Sequence, residues 1–167
     1  RQQSDRNHLR RFFGGRLTGK NGDPFYATNT NCVMTPSGVA LKNEDAEGNL
    51  LTISGNDASR GWGTAGANGA QVELTADGQA LEGNITADTI STLTMALKNG
   101  SAFTGMIHIV DNAEGGAAVT NNACVTIEQG CTWTLTGNCT MTTLNNHGTI
   151  HYNGYTITLA DGTVLGE

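Results

Sequence analysis

Proline, aromatic residues and charge are all scarce in this chain: 2 prolines, 5% aromatics and 14% charged residues in 167 positions. Low charge density excludes the usual disordered composition, which needs self-repelling charge to stay open. A hydrophobic share of only 37% is low for an ordinary globular core. No apolar run is long enough to span a bilayer, so no membrane-spanning segment is expected. The chain opens on Arg1 without an initiator Met or a signal peptide, which reads as a processed product or a piece of something longer. Its four cysteines, Cys32, Cys124, Cys131 and Cys139, allow three pairings and show no C-x-x-C spacing. Neither H-E-x-x-H, an EF-hand loop, a G-x-S-x-G elbow nor a glycine-rich phosphate loop occurs, so neither metal nor cofactor is expected.

Glycine, threonine, asparagine, alanine and serine fill the space left by these absences, with 23 glycines alone. Helical periodicity is nearly absent after residue 20. Apolar pairs separated by one residue recur instead: Val39/Leu41, Leu51/Ile53, Val72/Leu74, Met95/Leu97, Ile107/Ile109, Val125/Ile127 and Ile157/Leu159. That period of two marks short strands with one buried face. Steps such as Asp77-Gly78, Asn99-Gly100, Asn153-Gly154 and Asp161-Gly162 supply the turns between them.

The strands repeat. TADGQALEGNI at 75–85 matches LKNGSAFTGMI at 97–107, setting Leu81 against Phe103, Gly83 against Gly105 and Ile85 against Ile107, each at an offset of 103 − 81 = 22. In IEQGCTWTLTGNC at 127–139, Gly130 and Trp133 answer Gly100 and Phe103 at 133 − 103 = 30, the surplus being a loop made of DNAEGGAA at 111–118. A looser copy runs through 144–159. Coils that reuse the same apolar positions stack them into ladders, which lets a chain poor in hydrophobic residues build a continuous core. The expected fold is all-β, a right-handed parallel β-helix, or β-solenoid, with coils of roughly 20 residues.

The net charge of −6 is unevenly spread. Arg1, Arg6, Arg10, Arg11, Arg16 and Lys20 face only Asp5 within residues 1–20, whereas the remainder holds Lys42, Arg60 and Lys98 against all other acids. Residues 1–14 therefore read as a basic arm or cap and 15–167 as the β-helix domain. Such an arm is suited to phosphate or anionic lipid, or is merely solvated, while the acidic body argues against a nucleic-acid partner.

The run from GNDASRGWG through NGSAFTG to TWTLTG resembles the β-helical repeat regions of adhesin-like proteins secreted by gut bacteria, themselves similar to autotransporter passenger stalks. The resemblance covers roughly 12–167 and implies a right-handed parallel β-helix, an extracellular or cell-surface location and often an undefined ligand; the expected partner is a glycan or a host or cell-surface ligand. The leading expectation is thus a non-catalytic adhesin or stalk module. The alternative is a hydrolase or lyase acting on polysaccharide or glycoside in a shallow groove along the β-helix.

Asp57, Arg60 and Trp62 form the candidate ligand site, because an indole stacks on a sugar ring while a guanidinium and a carboxylate hold its hydroxyls. The packing alternative pairs Arg60 with Asp57 and lays Trp62 over a ladder. These residues lie in the long connection from Ser54 to Gln71. Catalysis on a glycoside needs two carboxylates across a groove, for which Glu44, Asp45 and Glu47, Asp57, and Asp111 with Glu114 are the candidates. Against that, acids in Gly/Asn turns commonly serve as turn formers. His108, between two isoleucines, is expected to point outward, and Cys139, aligned with Ile107, to act as a small core residue.

Overall fold

A computed structural model describes residues 7–20, 22–56 and 63–166, with side chains described from residue 18 onward. In chain order the strands are β1 (Asn7–Gly19), β2 (Phe25–Thr28), β3 (Asn31–Asn43), β4 (Leu51–Ser54), β5 (Gln71–Asp77), β6 (Ala80–Glu82), β7 (Ile85–Asp88), β8 (Thr92–Lys98) and β9 (Ala102–Thr104). They continue with β10 (Ile107–Val110), β11 (Ala123–Ile127), β12 (Thr132–Thr134), β13 (Cys139–Met141), β14 (Thr143–Asn146), β15 (Thr149–His151), β16 (Ile157–Leu159) and β17 (Val164–Leu165). All seven apolar pairs read from the sequence fall on strands. The protein is all-β, and among the described residues no helix is long and apolar enough to cross a membrane.

The strands line up in three rows. One runs β3-β5-β8-β11-β14, a second β3-β6-β9-β12-β15, and a third β2-β4-β7-β10, with β13-β16 following on. The long β3 serves two rows because its first half pairs with β5 and its second half with β6. β1 pairs with β3 along both halves, so backbone pairing already begins inside the segment expected as an arm or cap. Every ladder is parallel except β16 with β17. Successive passes of the chain, such as β5-β6-β7 and then β8-β9-β10, each place one strand in every row, a solenoid-like stack of a nearly closed parallel sheet.

Register places the repeat positions on top of one another. Leu81 faces Phe103, Phe103 faces Trp133, Trp133 faces Ile150, and Ile85 faces Ile107. Leu81, Phe103, Trp133, Ile85 and Ile107 are all buried. The Phe103 and Trp133 rings stack with centroids 5.6 Å apart, and the indole N–H donates to the Gly105 carbonyl at 3.0 Å, so the largest core side chain leaves no polar atom unpaired. The advance per pass is less regular than the residue facing. It is 92 − 71 = 21 from β5 to β8 and 143 − 124 = 19 from β11 to β14, but 71 − 31 = 40 from β3 to β5 and 123 − 93 = 30 from β8 to β11. Loops carry that difference, at 55–70 and 111–122, because strand pairing fixes what must superpose and leaves connections free to grow outward.

Corners are closed by side chains replacing missing backbone partners. Ser101, fully buried, accepts the Gln79 N–H at 3.0 Å and donates toward the Ala76 carbonyl at 2.9 Å, while Gln79 Oε1 accepts the Val39 N–H at 3.0 Å. All four cysteines are free thiols. Cys139 and Cys131 are buried among apolar neighbours, and burial pushes the Cys139 thiol up to about 11.

Candidate functional site

Between the second and third rows each pass turns through a short connection, and these connections stack at one corner. A Cβ added to Gly105 would lie 2.2 Å from the Gly83 carbonyl oxygen, and Gly83 itself has φ 132°. Both positions therefore require glycine. Missing side chains at the corner leave a trough of about 210 Å³ crossing four successive passes. Its polar walls come from Asn43 and Asp45, Glu82 and Asn84, Thr104, and Thr136.

The trough carboxylates are both engaged. Asp45 accepts the N–H groups of Gly22 and Glu47, which hold its carboxyl below the usual carboxylate range, the Gly22 bond contributing most. Glu82 lies 2.8 Å from the Lys42 ammonium, its in-register neighbour on β3. Asn84 Oδ1 accepts the Met106 N–H at 3.1 Å and the Thr136 hydroxyl at 3.4 Å, linking three passes along one wall. Glu44 and Glu47 are exposed in the same connection as Asp45.

A second feature stands at the ends of the third-row strands. The connections that follow β4 and β10, which flank β7, meet over the end of β7 at Asp88 through residues 55–56 and 66–67 of the first and Asn112 of the second. Asp88 Oδ2 accepts the Gly55 N–H at 2.7 Å, the Asn112 amide at 2.7 Å and the Ser54 hydroxyl at 3.2 Å. Asn112 also reaches the Asn56 carbonyl at 3.4 Å, and Asn56 closes its own loop through Ala67 and Gly66. Asn122 donates to the carbonyls of Asp88, Thr89 and Ser91, fixing the far end of the second loop. Together these bonds raise a wall beside the solenoid.

Of the residues singled out from sequence, Asp57, Arg60 and Trp62 lie outside the described residues. Asp45 lines the trough, and Asp111 and Glu114 are exposed in the 111–122 loop. His108 stands in register with Thr86 on an outward position, half-buried, with its Nδ1 buried and unpartnered. Sequence reading missed Asp88, Asn56, Asn112 and Asn122. The signal was present in the repeat: Asp88 occupies the place of Val110 one pass on, at the same strand end from which both long loops depart. Among the described residues no three His, Cys, Asp or Glu side chains converge as metal ligands. Comparison with family models, with curated proteins and with solved structures found no match.

Proposed function

We propose that this chain is a secreted or cell-surface binding module of the adhesin or stalk kind, a right-handed parallel β-helix with coils of roughly 20 residues, which holds a glycan on its outer face without turning it over. The observation that carries this reading is the trough, open along four passes and lined by amides, hydroxyls and carboxylates. Sugar hydroxyls both donate and accept, so a mixed lining of acceptors from Asp45 and Glu82, hydroxyls from Thr104 and Thr136, and amides from Asn43 and Asn84 matches them. An extended shape suits a chain of sugars better than a single ring. The two carboxylates disfavour phosphate-rich polymers such as nucleic acids.

Glycoside hydrolysis would need one carboxyl kept protonated near neutral pH beside a second one. Asp45 is held ionised by backbone donors, and Glu82 is engaged by Lys42. Both arrangements favour holding a ligand over proton transfer. Location outside the cell and the resemblance to adhesin-like repeat regions belong to the same proposal.

A polysaccharide panel that records retention and released fragments together tests it. Retention of at least one glycan, weakened by Thr104→Ala and Glu82→Gln with melting unchanged, is the expected result. Released fragments that disappear in Glu82→Gln would replace the binding module by an enzyme.

A further inference from the structure

The core ladders begin differently from the way they continue. Register stacks Met34, Leu74, Met95, Val125 and Leu144 into one interior row. On β1, the first strand of the stack, the place opposite Met34 belongs to Arg10, and the place opposite its neighbour Cys32 belongs to His8. Residues paired in register on parallel strands share a face of the sheet. A residue bearing a guanidinium thus occupies a rung that every later pass gives to an apolar one.

Beside that rung the interior is not filled. A cavity of about 380 Å³ is lined by residues 24–27, which lead into and form most of β2, by Cys32 and Met34 of β3, and by Leu51 of β4. Further along the same rows Leu74, Met95, Ile85 and Ile107 are buried and close the space. At the far end of the stack β17 folds back antiparallel on β16. At the near end, among the described residues, β1 and β2 stand last in their rows and no further strand pairs with them.

The lining contains no carboxylate. Asp23, next to it in sequence, accepts the Asn49 N–H and the Thr52 hydroxyl. A cation on an apolar wall is stabilised by water or by an anion, and the lining supplies no anion. We propose that this open end binds a small monocarboxylate with an apolar tail, the tail filling the cavity against Phe25, Ala27, Met34 and Leu51 and the carboxylate pairing with Arg10. A guanidinium suits that role because its forked donors match the two oxygens of a carboxylate. Ligand cavities run from roughly 300 to 1,000 Å³, so this one takes a single short chain or ring and not the paired chains of a membrane lipid. The trough has polar walls and this cavity apolar ones, so neither site depends on the other.

Calorimetric titration of the full chain with sodium octanoate below its micellar concentration, and with octanol as the uncharged molecule of equal chain length, provides the test. Octanoate is expected to bind at one site per chain, and octanol about tenfold more weakly because it forfeits the charge-assisted pair. Ala27→Leu puts a branched side chain into the cavity and is expected to abolish octanoate binding without lowering the melting temperature. Arg10→Gln keeps the cavity and is expected to bring octanoate down to the level of octanol. That arm stands even if Ala27→Leu does not fold. Absence of octanoate binding, equal binding of octanol by the native chain, or undiminished octanoate affinity in either folded variant would overturn the inference.

Discussion

The ladder of Leu81, Phe103, Trp133 and Ile150 and the hub around Asp88 belong to the same stack, yet opposite means hold them. Every ladder contact is apolar or aromatic and recurs from pass to pass, so Leu81, Phe103 and Trp133 are each supported on both sides by residues of the same kind, while Ile150 ends the row. The hub occurs once. It depends on one carboxylate oxygen receiving three donors from two distant stretches of chain, Ser54 with Gly55 and Asn112. Ladders make the fold robust and translatable along its axis; the hub makes one place on it particular.

Breaking the ladder produces the largest effect. Trp133→Ala removes a fully buried indole stacked on Phe103 and is expected to cost about 3–5 kcal/mol in chemical denaturation, because paired strands on either side prevent the gap from closing. Asp88→Ala comes next. It strands the Gly55 N–H and the Asn112 amide, each worth roughly 1–3 kcal/mol when buried unpaired. The loss should appear as faster proteolysis within 55–70 and 111–122 before any change in the ladder.

Titration of Cys139 gives a smaller, pH-dependent effect. Its thiol is raised from 9.0 to about 11 by burial, so above pH 9.0 the unfolded chain gives up a proton that the folded chain keeps. The contribution is complete below pH 9.0 and declines as pH rises toward about 11. Stability measured across that interval should fall less steeply in Cys139→Ala than in the native chain. Smallest of all is the Lys42–Glu82 pair, whose side chains are 32% and 51% exposed. Lys42→Ala should change stability by about 0–1 kcal/mol, with any difference removed by salt.

The same contrast explains what was legible in the sequence. Leu81, Phe103 and Trp133 were found because apolar ladders repeat, and offsets of 22 and 30 are the register that pairs the strands. Cys139 was read as a core residue from its alignment with Ile107, and it is 1% exposed. Asp88 was not found, since an acid at a strand end reads as a turn former and nothing local says that two loops will cover it. Asn112 sits in DNAEGGAA and Asn122 in a polar run, where each reads as a loop residue; only the meeting of the loops gives them partners. Asp45 was noticed for its charge, but its use of backbone N–H donors depends on Gly22, which comes from the preceding pass. Short-period patterns reveal rungs, whereas hubs depend on contacts between segments far apart in sequence, such as Asn56 and Asn112.

Native-state hydrogen exchange separates ladder from wall most directly. A robust stack carrying a separately held wall predicts that the amides of Phe103 and Trp133 exchange only through global unfolding, while those of Asn56 and Gly66 exchange through a smaller opening. Asp88→Ala should then speed the second group and leave the first tied to the global transition. Uniform acceleration of both groups, or equal protection in the native chain, would contradict the division of the molecule into a repeating core and a particular hub.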